Sequence, residues 1–200
     1  AGGNIYSQDY NDGVLQQYEI TDAENWLFQF RYRKTTCGGS TITNYFTYNH
    51  DNYRAAWHPS DFALVELVNS PLYNSRLVFL GWDRTGNTPN NVACIHHPLG
   101  ECCKIAIDNT SPTINGTYFW QVTDWDIGTV EHGSSGAPFF NSSKRVIGQV
   151  NGGNNIFCSP YEISYYGRFS YSWPGGGTDA TQLSYWLDPF GTEALTTNTI

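Results

Sequence analysis

Short runs of apolar residues, many of them alternating with polar ones, recur along this chain. In the clearest run, residues 24–33, aromatic side chains occupy every second position: Trp26, Phe28, Phe30 and Tyr32. Because successive side chains of a strand point to opposite faces, this pattern predicts a strand with one buried face. The same reasoning predicts strands at residues 41–48, 62–67, 77–82, 92–95, 104–107, 118–122, 137–140, 146–150 and 167–172.

Turn-forming residues and one helical stretch complete the pattern. Gly, Pro, Asn and Asp separate the predicted strands at short intervals, which is typical of β-sandwiches and β-barrels. Only residues 179–187 have helical spacing, and Pro189 follows them. Their apolar positions at i, i+3 and i+4 are Leu183, Trp186 and Leu187. The pattern therefore predicts an all-β fold with a C-terminal helix.

Composition narrows the classes of function. The chain has 200 residues, of which 14% are charged and 16% aromatic, and this favours a folded core over disorder. Its formal net charge of −8 argues against nucleic acids and anionic membranes as partners. No run is long and apolar enough to span a bilayer, and the polar residues 1–13 do not resemble a signal peptide.

Five cysteines, at positions 37, 94, 102, 103 and 158, leave at least one thiol without a partner in the chain. No C-x-x-C pair is present, and the adjacent His96 and His97 would point to opposite faces of a strand. We therefore predict no metal site and no cofactor. A disulfide from Cys94 to Cys102 or Cys103, around a turn at residues 98–100, is the expected pairing.

The stretch Gly-Ser-Ser-Gly-Ala-Pro at residues 133–138 is the strongest candidate for chemistry. Glycine on both sides of the serines permits a sharp turn and the close approach of a substrate. The backbone N–H groups of Gly133 and Ser135 could then point at one oxygen atom, as an oxyanion hole requires. Ser135 is the candidate nucleophile.

Two other segments support a nucleophilic serine. Residues 146–153 read as an apolar strand that ends in two glycines, which would let a substrate backbone pair along it. Asp61 precedes the apolar run at 62–67, where its side chain would be partly buried and fixed. A carboxylate in that setting can orient an imidazole and stabilise its charged form.

In its ordered series of motifs the chain resembles the lysyl endopeptidase-like branch of the trypsin-fold serine proteases, over roughly residues 26–190. The matching segments are Ser-Asp-Phe-Ala-Leu-Val-Glu-Leu at 60–67, Gly-Trp-Asp-Arg at 81–84, Ile-His-His-Pro at 95–98, Thr-Ser-Pro-Thr at 110–113, Gly-Ser-Ser-Gly-Ala-Pro at 133–138, Arg-Val-Ile-Gly-Gln at 145–149, Tyr-Gly-Arg at 166–168 and Leu-Ser-Tyr-Trp-Leu-Asp-Pro at 183–189. The resemblance implies a double β-barrel with a C-terminal helix, the first barrel being incomplete. Residues 1–90 would be the remainder of the N-terminal barrel and residues 91–200 the C-terminal barrel.

The resemblance also implies a function, that of a serine endopeptidase. Ser135 would be the nucleophile and Asp61 the acid of the catalytic triad, with the N–H groups of Gly133 and Ser135 as the oxyanion hole. The implied substrate-binding edge consists of Val150, Asn151 and Gly152. The expected partner is a peptide or protein substrate, and the expected protein is a secreted, cell-surface or periplasmic monomer.

The chain departs from this family in its histidines. The family's catalytic histidine lies in an Ala-x-His-Cys-like segment before the first matching strand, and no such segment occurs here. The histidines present are His50, His58, His96, His97 and His132, and we interpret all of them as non-catalytic. The N-terminal part of the first barrel would then be absent, and this chain alone would be inactive. In the family, positions like Cys37 and Cys158 bond to cysteines near the mature N-terminus, and those partners have no counterpart here.

A second departure concerns the specificity pocket. The resemblance implies a preference for lysine or another basic residue before the scissile bond, which depends on an acid two residues before Tyr-Gly-Arg. Ser164 stands at that position, with Glu162 nearby, and both are candidate pocket residues. A neutral serine would not pair a buried ammonium group. Thr129, six residues before Ser135, is also uncharged, and Ser134 replaces the aspartate of trypsins.

Two other functions fit the residues. A non-catalytic relative would keep the groove, lack the base and bind peptide or protein ligands. A carbohydrate-binding β-domain would use the abundant Trp and Tyr side chains for stacking on sugars, although core packing explains the same residues.

Overall fold

The computed structural model describes residues 15–49, 51–68, 77–154, 159, 161 and 163–200. The strands in these ranges are β1 (Leu27–Phe30), β2 (Phe46–Asn49), β3 (Asp51–Trp57), β4 (Phe62–Leu67), β5 (Val92–His96), β6 (Lys104–Asp108), β7 (Thr113–Asn115), β8 (Phe119–Val122), β9 (Pro138–Asn141), β10 (Val146–Gly153) and β11 (Ser164–Arg168). The α-helices are α1 (Gln17–Ala23), α2 (Phe169–Ser172) and α3 (Ser184–Leu187), and short 3-10 helices occupy His58–Ser60 and Pro98–Gly100.

Antiparallel sheets make up the fold. Seven strands form one sheet in the order β6-β5-β9-β10-β11-β8-β7, while β1 pairs with β2 and β3 pairs with β4 in separate hairpins. Within the described ranges no sheet closes into a barrel. The predicted all-β fold with a C-terminal helix is confirmed, although α3 is shorter than the helical stretch that the spacing indicated.

The main core lies on one face of the seven-stranded sheet. Trp120, Phe139 and Tyr166 are almost completely inaccessible to solvent, and the rings of Phe139 and Tyr166 stack with centroids 3.9 Å apart. The Trp120 indole N–H donates to the carbonyl of Ile147 over 3.2 Å. Burial of these large apolar surfaces stabilises the central strands β9, β10 and β11, which carry the candidate site.

A second core cluster attaches the β3–β4 hairpin to the rest of the chain. Ala55 and Phe62 of the hairpin pack with Phe169, Trp173 and Leu183. Because Asp61 lies between β3 and β4, this packing fixes the hairpin end that carries it next to β10 and β11.

Two predicted strands are wrong. At residues 167–172 the chain leaves β11 after Arg168 and forms α2, because Phe169 and Trp173 at i and i+4 both point into the second core cluster. Residues 77–82 are largely exposed, and only Trp82 forms a bridge, to Val146. The apolar residues of the first segment therefore pack from a helix, and those of the second make only isolated contacts.

Three elements lack a clear sequence pattern, namely α1, β3 and β7. In β3 the adjacent Ala55 and Ala56 are both buried, one against the second core cluster and the other against Ala23 of α1. A strand covered on both faces does not alternate, and alanine is depleted in strands. The two alanines therefore gave no strand signal.

The expected disulfide is also wrong. Cys94 lies in β5 opposite Ala106 of β6, is fully buried and carries a free thiol, as do Cys102 and Cys103. The register explains this, because both proposed partners precede β6 and lie in the turn. Cys37 is free and exposed, whereas Cys158 lies outside the described residues.

The proposed division of the chain at residue 90 stays a prediction. No described helix combines the length and the apolar composition needed to cross a membrane.

Candidate functional site

Ser135 lies between two turns, and each of these turns requires a glycine. Gly133 and Gly136 have φ values of +86° and +81°, in the left-handed region that L side chains rarely adopt. A Cβ at position 133 would lie 2.9 Å from the backbone nitrogen of Leu99. The N–H of Ser134 donates to the carbonyl of Glu131, and the N–H of Ala137 donates to Ser134, so both turns are closed by hydrogen bonds.

Backbone hydrogen bonds attach this loop to β10. Gly136 N–H donates to the Val150 carbonyl over 2.8 Å, and Val150 N–H donates to the Ala137 carbonyl over 2.9 Å. The N–H groups of Gly133 and Ser135 donate to no described residue. Both donors of this turn are therefore open to a ligand oxygen, and their assignment as an oxyanion hole stays a prediction.

A cavity of about 170 Å³ opens beside Ser135. Its lining consists of Val130, Glu131, His132, Ser135, Val150, Asn151, Gly152 and Gly153. The three residues expected at a substrate-binding edge thus share one cavity with the candidate nucleophile. Glu131 and Val130 were not recognised as cavity residues, and their only sequence signal is their position just before the serine motif.

Asp61 is held in a constrained position. It is 4% exposed, has a φ of 54° and follows the 3-10 helix His58–Ser60, whose first carbonyl accepts its N–H. The side-chain amide of Gln149 donates to the carbonyls of Ser60 and Asp61, over 2.9 and 3.2 Å. A residue of β10 thereby clamps the backbone of the hairpin at the carboxylate.

Asn151 connects Asp61 to the serine cavity. Its Nδ2 donates to Asp61 Oδ2 over 2.8 Å. The register between β10 and β11 shifts between Val150 and Gly152, so Asn151 is the extra residue of a β-bulge, and bulges redirect a side chain. Asp61 Oδ1 accepts no hydrogen bond from a described residue and can accept an imidazole N–H.

Burial and hydrogen bonding oppose each other at Asp61. Burial raises the pKa of the carboxyl group above its ordinary value, and the hydrogen bond from Asn151 lowers it. The amide N–H stabilises the ionised form, which is the form that can orient an imidazolium.

Of the residues predicted to form the specificity pocket, the two that the structure describes do not line this cavity. Ser164 is 1% exposed, its hydroxyl is 3.1 Å from that of Tyr166, and it is absent from the cavity lining. Thr129 donates to the Ser159 carbonyl instead of lining the cavity. Glu162 lies outside the described residues.

A buried histidine lies behind the serine loop, in a contact that no sequence pattern indicates. His96 Nδ1 is 2.7 Å from the hydroxyl of Ser134, and both side chains are at most 2% exposed. Burial, aided by the nearby His97, lowers the pKa of His96 from 6.5 to about 4. A neutral imidazole therefore contacts the hydroxyl of the residue that lies between Gly133 and Ser135.

None of the other described histidines forms a hydrogen bond with Ser135. Among described residues, the hydroxyl of Ser135 makes no hydrogen bond. His97 Nδ1 is 3.0 Å from the Glu101 carbonyl, and His58 lies in the 3-10 helix before Asp61. His132 is exposed and lines the cavity, while His50 lies outside the described residues.

The described residues contain no group of three or more His, Cys, Asp or Glu side chains placed to hold a metal ion. The arrangement offers a serine hydroxyl in the cavity lining, two backbone N–H donors in the same loop, and a buried carboxylate that Asn151 connects to the lining. These groups suit acyl transfer with an imidazole placed between Ser135 and Asp61.

Comparison with known proteins gives one family. Residues 16–167 match the family model described as lysyl endopeptidase, C-terminal domain. A crystal structure of Rv3671c from M. tuberculosis, a serine-to-alanine mutant in an inactive form, aligns with 19% sequence identity and a TM-score of 0.39. The alignment covers 64% of this chain and 66% of that chain, just under two thirds of its length.

Proposed function

This chain belongs to the lysyl endopeptidase C-terminal domain family, and on that premise we propose that it is a serine endopeptidase or a part of one. The observation that carries the proposal is the cavity shared by Ser135 and the edge of β10, with Asp61 joined to it through Asn151. Its partner is a peptide or protein substrate. The proposed localisation is that of a secreted protein.

The proposed reaction is acyl transfer. The Ser135 hydroxyl oxygen attacks the peptide carbonyl carbon, and an imidazole takes the hydroxyl proton. The N–H groups of Gly133 and Ser135 donate to the resulting oxyanion. The imidazolium then protonates the departing amine, and water hydrolyses the acyl-enzyme with the same groups.

The imidazole comes from a segment that these 200 residues do not include. Support comes from the engagement of His96 by Ser134 and of His97 by the Glu101 carbonyl. Asp61 Oδ1, which accepts no hydrogen bond from a described residue, is the place for its N–H. The chain by itself should then retain the site and only residual catalysis.

Specificity for a basic side chain is part of the proposal. Glu131 is a half-buried carboxylate in the cavity lining, whereas the neutral Ser164 is absent from it. A partly desolvated carboxylate attracts an ammonium or guanidinium group. Glu131 therefore supplies the charge that the family places elsewhere.

A fluorophosphonate probe tests the acyl-transfer chemistry. Such a probe phosphonylates a serine hydroxyl only when it is activated, so a longer protein carrying the imidazole segment should be labelled at Ser135. We expect the 200-residue chain to react at least about 10³-fold more slowly, because one triad group is missing. Intact-mass spectrometry with peptide mapping measures both rates.

The matched controls are Ser135→Ala, which should abolish labelling, and Ser143→Ala, an exposed serine whose loss should not. Two results would contradict Ser135 as the nucleophile. One is labelling of the longer protein that persists in its Ser135→Ala variant, and the other is a longer protein that is not labelled at all.

A lysine probe tests Glu131 without requiring catalysis. We expect Nα-acetyl-lysine methylamide to bind the cavity of the 200-residue chain more tightly than its norleucine analogue. Glu131→Gln should weaken the lysine probe by on the order of fivefold and leave the norleucine probe unchanged. NMR chemical-shift titration measures both, with exposed Glu101→Gln as the control. Equal binding of the lysine probe by all three proteins would reject Glu131.

A non-catalytic peptide-binding protein is the second candidate. It is favoured by the absence of any hydrogen bond from the Ser135 hydroxyl to a described histidine. Peptide binding without labelling of any longer form would support it over the endopeptidase.

A further inference from the structure

A second and larger cavity lies on the other side of the segment that leads into the serine loop. It has a volume of about 730 Å³ and is bounded by the β5–β6 hairpin, residues 33–38 and residues 128–131. Its volume falls in the range of small-molecule sites, which is roughly 300–1,000 Å³. Glu131 lines this cavity as well as the serine cavity, so one segment separates the two.

Positive charge is concentrated at this cavity. Arg33, Lys34 and Lys104 line it, which is three of the ten Lys and Arg residues in a chain of net charge −8. None of the three forms a salt bridge within the described part of the chain, whereas Arg54 and Arg84 do. Unpaired cations around a concave surface attract an anion.

These cations also influence the pKa values of titratable groups in the cavity wall. Burial raises the pKa of Cys103, and Arg33 opposes this effect; burial also lowers the pKa of His96, and Lys104 acts in the same direction. His96 is therefore uncharged at neutral pH, and Glu131 is the one acidic side chain in the described lining. The formal charge of the lining is positive.

Between the cations the surface is apolar and aliphatic. Ile95 and Ile105 face each other across β5 and β6, and both are more than two fifths exposed. Pro98 and three cysteines extend this surface, and the described lining includes no Phe, Tyr or Trp side chain. An exposed aliphatic pair in a cavity gains from covering by a hydrocarbon chain.

We propose that this cavity binds an amphipathic anion, specifically an aliphatic monocarboxylate of fatty-acid type. Its hydrocarbon chain covers Ile95 and Ile105, and its carboxylate lies among Arg33, Lys34 and Lys104. Binding at this site is separate from the proposed peptide cleavage. If no such anion binds there, the proposed role of Ser135 and of its cavity is unaffected.

Sodium octanesulfonate is the probe, because its headgroup stays ionised throughout the pH range used. Isothermal titration of the reduced 200-residue chain should show saturable binding at one site. Ethanesulfonate, which lacks the chain, and 1-octanol, which lacks the charge, should each bind at least about tenfold more weakly. NMR shifts should centre on Ile95 and Ile105.

Charge reversal at matched positions decides the location. Lys104→Glu should weaken octanesulfonate binding by about tenfold or more, and Lys144→Glu, an equal charge change at an exposed turn, by less than about twofold. Arg33→Glu, in an irregular segment, repeats the test if the β6 substitution disturbs folding. Equal loss in the two lysine variants would overturn the proposal, as would octanol binding as tightly as octanesulfonate. Sedimentation that shows a second copy of the chain occupying the cavity would also overturn it.

Discussion

Gly167→Ala should lower the free energy of unfolding by on the order of 3 kcal/mol. A Cβ built at position 167 lies 1.9 Å from the backbone oxygen of Ser60 and 2.2 Å from Nε2 of Gln149. Real Cβ atoms do not approach other atoms this closely. The Gln149 amide can move, but Ser60 belongs to the hairpin that carries Asp61, so the hairpin and β11 must separate. Denaturant unfolding followed by tryptophan fluorescence measures the loss.

The same substitution at Gly152 is the matched control. A Cβ at that position meets nothing within 4 Å, and Gly152 also lies in the sheet, in β10 opposite Tyr165 of β11. Alanine in place of glycine at an unstrained position stabilises a protein slightly, because the unfolded chain loses freedom. We therefore expect Gly152→Ala to change stability by less than about 1 kcal/mol. Equal stability of the two variants would show that β11 and the hairpin do not meet at position 167.

The close contact at Gly167 also shows why the sequence predicted only part of the site. Periodicity and turn residues placed Phe62–Leu67, Val92–His96 and Lys104–Asp108 as strands nearly to the residue. These strands have local patterns that their packing obeys. At residues 169–172 tertiary packing overrode the local pattern, because two aromatic rings were needed in the second core cluster.

Contacts between distant segments carry most of what was missed at the site. The bulge that directs Asn151 toward Asp61 depends on the register between two strands, and a single sequence does not encode register visibly. His96 and Ser134 are 38 positions apart, so their hydrogen bond follows only from the pairing of β5 with β9. The proximity of Ser135 to the edge of β10 was the easier inference, because motif resemblance supplied it.

His96 should make the stability of the fold depend on pH between about 6.5 and 4. Burial lowers its pKa in the folded chain from 6.5 to about 4, with His97 and Lys104 acting in the same direction and Glu131 in the opposite one. Between these values the unfolded chain binds a proton at this position and the folded chain does not. Stability is therefore complete above about pH 6.5 and falls as the pH decreases toward 4.

The size of the effect follows from the two pKa values. A difference of one pKa unit corresponds to about 1.4 kcal/mol, so His96 should account for up to about 3 kcal/mol over this range. Asp61 acts in the opposite direction, because burial raises its pKa and protonation at low pH then favours the folded chain. A comparison with a His96 variant removes this contribution, since both proteins contain Asp61.

His96→Gln is the variant that isolates the effect. Its amide can still bond to the Ser134 hydroxyl but does not titrate. Urea unfolding at a series of pH values should give curves for the two proteins that separate by about 3 kcal/mol more at pH 7 than at pH 4. His97→Gln, at the neighbouring and more exposed position, should retain most of the slope, because burial, the larger cause of the lowered His96 pKa, is unchanged in it. Parallel curves for the protein and His96→Gln would mean that the His96 imidazole takes up its proton as easily as in water. The interpretation of the Ser134 contact as one made by an uncharged imidazole would then be wrong.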